Sequence, residues 1–172
     1  GKEQFETEIE LKYTPNTVFT LAERDEQFKT TIELYKMTED LAYLVYELDE
    51  MLKYIENNKE QKSLSKQGAV LNSKLNDLKK TLVITTGDNY VGAAEPQLRE
   101  KLGDIYSKVA GYYGKPSNSE YQNIKLITNR FNKAKTDFET IKKGLFAKYL
   151  SSAEKIEIKA MEIKSYEEFV KK

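Results

Sequence analysis

The chain has 172 residues, of which 39% are hydrophobic and 33% are charged, and its 28 basic and 28 acidic residues leave a formal net charge of zero. This length and apolar content are enough for one domain with a buried core. The balanced charge lacks the basic excess that is typical of nucleic-acid-binding domains, so we expect no nucleic-acid partner.

Cysteine and histidine are both absent from the sequence. Disulfides, thiolate nucleophiles and Cys/His zinc sites are therefore excluded, as is the side chain that most readily moves protons near neutral pH. No apolar run reaches the roughly 20 residues that a membrane-spanning helix needs, so we expect no membrane insertion. Gly1 stands where a start methionine is expected, and we interpret it as the scar of a removed tag on a piece of a longer protein.

The first predicted element is a β-strand. In "FETEIELKY", residues 5–13, apolar side chains and a threonine alternate with charged side chains. Period-two alternation with one charged face is typical of a half-buried strand. The "TPNT" that follows ends the pattern with a proline and an asparagine.

A long helix is predicted next, from a capping box at Thr20 and Glu23 to about Asn57. Its apolar residues repeat every seven positions, with a second set three positions later, which is an a/d seam. The seam consists of Leu34, Met37, Leu41, Leu44, Leu48, Met51 and Ile55. A further set is expected to widen the buried stripe to that of a bundle helix, namely Phe28, Ile32, Tyr35, Val45 and Leu52.

Three more helices complete the predicted bundle. The second carries regularly spaced leucines and ends near Ile84, and the third follows Pro96. Gly114 is expected to close the third helix in a left-handed conformation, and a capping box at Ser117 and Glu120 opens the fourth. The fourth helix has its own seven-residue seam of Ile124, Phe131, Phe138 and Leu145.

The C-terminal segment changes period again. "KIEIKAMEIK", residues 155–164, alternates in the manner of a strand, with helix as the alternative. Ser165 and Glu168 form a third capping-box pattern that predicts a last helical turn. If both end segments are strands, they are expected to pair beside one end of the bundle.

Four tyrosines form the one candidate binding site that the sequence offers: Tyr106, Tyr112, Tyr113 and Tyr121 surround the turn between the third and fourth helices. Exposed tyrosines can stack on sugar rings or anchor a protein partner. The alternative is that the rings pack at the end of the bundle and leave their hydroxyls exposed to solvent. We expect at least Tyr112 to face inward. No catalytic residue, metal ligand or cofactor site is expected.

Several stretches resemble the helical region that follows the β-propeller in bacterial BNR-repeat, sortilin-like and photosystem II assembly-factor-like proteins. "FETEIELKYTPNT" looks like the exit strand and linker, and "LNSKLNDLKKTL" looks like the second helix. "LREKLGDIYSKVAGYYGKPSNSEYQNIKLI" is similar to a helix, a Gly-x-Pro-Ser/Thr turn and a helix start in that family, and "SYEEFVKK" to its ending. The resemblance covers nearly the whole chain. It implies an exported bacterial protein (periplasmic, on the outer surface or secreted) and a helical accessory domain without catalytic residues.

The sequence therefore predicts a mainly α fold, an antiparallel helical bundle of about four helices, two of them long, with a terminal β-strand or a short two-stranded pairing. Residues 1–19 are expected to be an exit strand and linker from an upstream domain, residues 20–150 the bundle, and residues 151–172 a C-terminal strand or short-helix appendage.

The predicted function is a non-enzymatic accessory or interaction domain of an exported bacterial multidomain protein. Its partner would be an upstream propeller-like domain or another protein, and a homodimer is compatible with the apolar seams. Two alternatives stay open: a carbohydrate-binding module that uses the tyrosines, and a sensor-type helical bundle.

Overall fold

The computed structural model describes residues 4–12, 17–85 and 95–171. The protein is mainly α-helical, and its helices pack as a bundle with two long members, as predicted. The helices are α1 (Leu21–Asn57), α2 (Lys62–Leu82), α3 (Leu98–Ala110), α4 (Asn118–Ile141), α5 (Ala147–Glu154) and α6 (Tyr166–Val170), and a π-helical turn (Lys142–Phe146) joins α4 to α5.

All three predicted capping boxes are present. The Thr20 hydroxyl accepts from the amide of Glu23, and the Glu23 carboxylate accepts from the amide of Thr20 at 2.9 Å. The same reciprocal pairs start α4 at Ser117 and α6 at Ser165. Each box gives partners to amides that a helix start leaves unpaired, which is why these short patterns locate helix starts so well.

The predicted seam of α1 forms the centre of the core. Six of its seven residues are buried, and Met37 is partly buried against them. They meet the leucines of α2, the apolar face of α3 and the aromatic rings of α4 and α5, including Phe138 and Tyr149. The widened stripe was predicted correctly only in part, because Val45 and Leu52 pack against the core whereas Phe28, Ile32 and Tyr35 are exposed.

The two long helices run parallel, contrary to the antiparallel arrangement expected for them. Three side-chain contacts join α1 to residues exactly 95 positions later: Glu26 to Tyr121, Asp40 to Lys135 and Glu47 to Lys142. A constant difference between contacting residue numbers is possible only for parallel elements in register. Short turns still make consecutive helices antiparallel, as α1 and α2 are.

The parallel arrangement is possible because α2 and α3 lie one after the other along α1. Lys79 of α2 forms a 2.6 Å ion pair with Asp49 in the second half of α1, while the Val109 carbonyl of α3 accepts from Gln27 in the first half. Both α2 and α3 run antiparallel to α1, so the chain has the same direction in the two helices. In cross-section the protein is thus a bundle of three helical columns: α1, then α2 followed by α3, and then α4 followed by α5.

The π-helical turn changes which residues of the column formed by α4 and α5 face the core. Phe131 and Phe138 are buried as predicted, but Leu145 is partly exposed, and Phe146 and Tyr149 are buried instead. A π turn accommodates one extra residue, so the buried position moves from seven residues after Phe138 to eight. The expectation for Leu145 was wrong for this reason.

Neither predicted strand is present among the residues that the structure describes. Residues 4–12 form no secondary structure, and Phe5, Ile9 and Leu11 are 87%, 78% and 93% exposed; Tyr13 lies outside the described residues. Residues 155–157 form a turn and residues 158–165 an irregular extended segment. A strand needs a neighbour to pair its amides and carbonyls, and the helical bundle offers none to either segment.

Residues 158–170, which we call the C-terminal tail, lie along the outer face of α1. The hydroxyls of Tyr54 and Tyr43 donate to the carbonyls of Lys159 and Lys164, each at 3.0 Å. The residue numbers of the tail rise along these contacts while those of α1 fall, so the tail runs antiparallel to α1. Its last helix, α6, places Phe169 in a stacked contact with Tyr46 at a centroid distance of 5.0 Å.

None of the described helices is both long and apolar enough to span a lipid bilayer.

Candidate functional site

The four candidate tyrosines do not form one patch. Tyr106 of α3 is half-buried against the core, and Tyr121 at the start of α4 faces α1. Tyr112 and Tyr113, in the turn after α3, are 55% and 67% exposed. The expectation that Tyr112 faces inward was therefore wrong, because α3 ends at Ala110 and the turn residues lie beyond the last position that could face the core.

Tyr112 and Tyr113 are held in place by residues that precede and begin α1. Phe19 contacts Tyr112 edge to face at a centroid distance of 5.2 Å, and the Arg24 guanidinium lies 5.4 Å from the centre of the Tyr113 ring. Such contacts fix ring orientations and add about 0.5–1.5 kcal/mol each when well formed. We call these four residues, Phe19, Arg24, Tyr112 and Tyr113, the end cluster.

Gly114 makes the end cluster possible by its lack of a side chain. A Cβ atom at this position would lie 2.8 Å from a ring carbon of Phe19 and 2.8 Å from one of Tyr112, which is closer than Cβ atoms are found. Its backbone is not in the left-handed region, and Gly111 caps α3 instead. The predicted role as a left-handed cap was wrong. The absence of a side chain at Gly114 instead allows the rings of Phe19 and Tyr112 to lie close to its backbone.

The electrostatics around the end cluster follow from the parallel columns. The N-termini of α1 and α4 lie at the same end of the bundle, and each would bring partial positive charge. Hydrogen bonds from Thr20 and Ser117 to the capping carboxylates hold the pKa of Glu23 and of Glu120 below the usual range. Both carboxylates therefore stay ionised and offset the helix dipoles, which leaves the cluster a mainly apolar surface with one guanidinium.

Tyr121 contributes to packing between the two long columns. Its hydroxyl donates to the Glu26 carboxylate, and burial together with this hydrogen bond and the negative charge of Glu26 raises the pKa of Tyr121 to about 12. The phenol therefore stays protonated near neutral pH. Its ring is part of the contact between α1 and α4, which leaves Tyr112 and Tyr113 as the tyrosines of the original set that a partner can reach.

A cleft of about 520 Å³ lies elsewhere, between α2, α3 and α4. Its floor is apolar, and its rim holds an ion pair of 2.8 Å between Lys133 and Asp137. Within residues 4–12, 17–85 and 95–171, no three acidic side chains converge in a way that would hold a metal ion. The end cluster is therefore the candidate site that the geometry favours, and the chemistry it offers is ring stacking and apolar contact.

Sequence reasoning missed Phe19 and Arg24. The one signal for Phe19 is its position immediately before the capping box, where an apolar side chain often packs against the helix start. Arg24 has no comparable signal, because its contact with Tyr113 joins residues 89 positions apart in the sequence.

No protein-family model, curated protein or solved structure matches this chain.

Proposed function

We propose that this protein is a non-enzymatic accessory domain that binds a partner through the end cluster. The partner is another domain of a multidomain protein or a separate protein. The sequence resemblance further supports a bacterial, exported protein as the setting. The observation that carries the proposal is the exposure of Tyr112 and Tyr113, which are 55% and 67% accessible while their rings are fixed by neighbours.

Fixed and exposed tyrosines are well suited to binding proteins. A large ring that is already oriented loses little conformational entropy on binding and buries much apolar area, which is why tyrosine is frequent among the residues that dominate interfaces. Val18, next to Phe19, is 84% exposed and enlarges the apolar surface at this end. The first turns of α1 are joined to the neighbouring helices by hydrogen bonds, because Gln27 donates to the Val109 carbonyl at the end of α3 and Tyr121 of α4 donates to Glu26.

Site-specific photo-crosslinking in the source cell tests this proposal. A benzoylphenylalanine at Tyr113 is expected to form a discrete cross-link to one polypeptide, and the same group at Gln67, an exposed residue of α2, is the matched control. The cross-linked polypeptide should then bind the purified chain. Equal yields at both positions, or no cross-link at Tyr113, would contradict the proposal.

A carbohydrate-binding module is the second candidate, and the same exposed rings favour it, because tyrosine faces stack on the apolar faces of sugars. Calorimetric titration with soluble oligosaccharides separates the two candidates. Binding that Tyr113→Phe retains and Tyr113→Ala abolishes would support sugar stacking, whereas the absence of heat across a panel of oligosaccharides would remove this candidate.

A further inference from the structure

A stripe of apolar side chains lies on the outer face of α1. Leu21, Phe28, Ile32 and Tyr35, which we call the outer stripe, are 62%, 62%, 37% and 45% exposed. They are separated by seven, four and three residues, so they align on one side of the helix. Thr30 and Leu34, the buried residues of the same turns, lie on the opposite side. The outer stripe is thus distinct from the core seam.

The same face of α1 is covered farther along the helix. The C-terminal tail crosses Tyr54, Tyr46 and Tyr43, and its helix α6 reaches the neighbourhood of Asp40. Tyr166 of the tail lies near Tyr35, and from there back to Leu21 the side chains of the outer stripe stay 37–62% exposed. One long helix therefore has an outer face whose second half is occupied by the chain itself and whose first half is open.

The spacing of the outer stripe indicates that a helix covers it. Separations of seven, four and three residues are those of a helix–helix seam, in which apolar side chains of one helix fit between those of another. An extended peptide presents a period of two and would match only part of the stripe.

The charges beside the outer stripe are self-complementary. Asp25 and Lys36 lie on the same side of it, eleven residues or about three turns apart. Neither forms an ion pair within the part of the chain that the structure describes. In an antiparallel pair of α1 helices that sets Phe28 opposite Ile32 of a second copy, Asp25 lies opposite Lys36 of that copy. Two-fold symmetry makes this contact twice.

We infer that the outer stripe is a homodimer interface in which the first halves of two α1 helices pack antiparallel. The two C-terminal tails meet only the edges of the overlap, because α6 reaches Asp40 and Glu39 through Tyr166 and the paired segment runs from Leu21 to about Glu39. The inference goes beyond the proposed function, since the end cluster and the outer stripe involve different residues and different partners.

Sedimentation velocity of the full chain over about 5–500 µM tests the inference, this range being chosen for the weak association that small interfaces give. We expect a reversible dimer. Phe28→Glu should be monomeric throughout with an unchanged melting temperature, because Phe28 is exposed in the monomer. A wild-type chain that stays monomeric at every concentration, or a Phe28→Glu variant that still dimerises, would overturn the inference.

Charge exchange and disulfide trapping test the orientation. Asp25→Lys and Lys36→Asp should each weaken the dimer about tenfold, and the double variant should restore it. Because the chain has no cysteine, Asp25→Cys mixed with Lys36→Cys should form a mixed disulfide in preference to either homodisulfide. Preferential homodisulfides would indicate parallel pairing and contradict the antiparallel interface. Tyr113→Ala should leave all of these results unchanged, so failure here is distinguishable from failure of the proposed function.

Discussion

Substitution of Phe169 by alanine should release the C-terminal tail from α1 while leaving the bundle folded. Phe169 stacks on Tyr46 at 5.0 Å and contacts Tyr43 at 5.5 Å. Two aromatic contacts at about 0.5–1.5 kcal/mol each, together with the apolar area of a half-buried ring, amount to about 2–3 kcal/mol. The five residues of α6 cannot sustain a helix without this support, because helix nucleation is unfavourable.

Native-state hydrogen exchange measures this release directly. The Lys164 amide donates to the Tyr46 hydroxyl at 3.2 Å, so it is protected only while the tail is docked. A loss of about 2 kcal/mol should accelerate its exchange roughly thirtyfold, whereas the amide of Leu48 in the middle of α1 should exchange as before.

Two variants are matched controls. Phe169→Leu keeps most of the apolar volume and should accelerate Lys164 exchange less. Tyr46→Phe keeps the ring and removes only the hydroxyl that accepts from the Lys164 amide. Unchanged exchange at Lys164 in Phe169→Ala would refute the reasoning, because the tail would then be held by contacts other than the aromatic ones. Equal acceleration at Leu48 would also refute it, since the tail would then be coupled to the whole bundle.

Three further substitutions test local features of the fold. Gly103→Ala should stabilise the protein by about 0.5–1 kcal/mol, because the position is inside α3 and no atom lies within 4 Å of the added Cβ. Thermal denaturation should show a melting temperature that is higher by about 2–4 °C per kcal/mol. A lower melting temperature would contradict the helix assignment. Glu157→Gly should stabilise by up to about 1 kcal/mol, because Glu157 has a φ of 57° where glycine is unstrained, and a lower melting temperature would argue against this backbone conformation. Hydrogen bonds from Ser117 lower the pKa of Glu120, so the stability that its charge contributes is present above the ordinary value of 4.5 and is lost as the pH falls through the folded-state pKa. Glu120→Ala should therefore lower the melting temperature more at pH 7 than at acidic pH, and an equal decrease at both would show that the charge is irrelevant.

Features that depend on neighbouring residues were the ones the sequence predicted well. The capping boxes at Thr20, Ser117 and Ser165 place donor and acceptor three residues apart, so a short stretch of sequence is enough to identify each helix start. The seam of α1 was predictable for a similar reason, because its period reflects helix geometry alone. The leucines of α2 and the rings Phe131 and Phe138 follow the same logic.

Features that depend on partners distant in the sequence were not predictable. Residues 4–12 and 155–164 have strand-like alternation, yet neither finds a strand to pair with in the described chain. The parallel columns depend on α2 and α3 following one another along α1, which no local pattern reveals. The exposure of Leu145 depends on the π turn in which it lies, Lys142–Phe146, and the seven-residue period does not reveal that turn.

The candidate site was predicted in part. Tyr112 and Tyr113 were identified from composition around the turn, but their exposure depends on where α3 ends and on the contacts of Phe19 and Arg24. The role of Gly114 likewise depends on Phe19, which lies 95 residues away in the sequence. Local signals indicate that a turn contains tyrosines, and only the tertiary structure determines which of them a partner can reach.

The most direct test of the central claim is the affinity of the cross-linked partner for a double variant, Tyr112→Ser with Tyr113→Ser. Both side chains are largely exposed, so the variant should keep the helical content of the wild-type chain and lose only the stability of the Phe19 and Arg24 contacts, about 1–3 kcal/mol in total. If the end cluster is the binding surface, affinity should fall at least tenfold, as expected when residues central to an interface are truncated, while Gln67→Ser on α2 leaves it unchanged. A double variant that binds as tightly as the wild-type chain would contradict the claim.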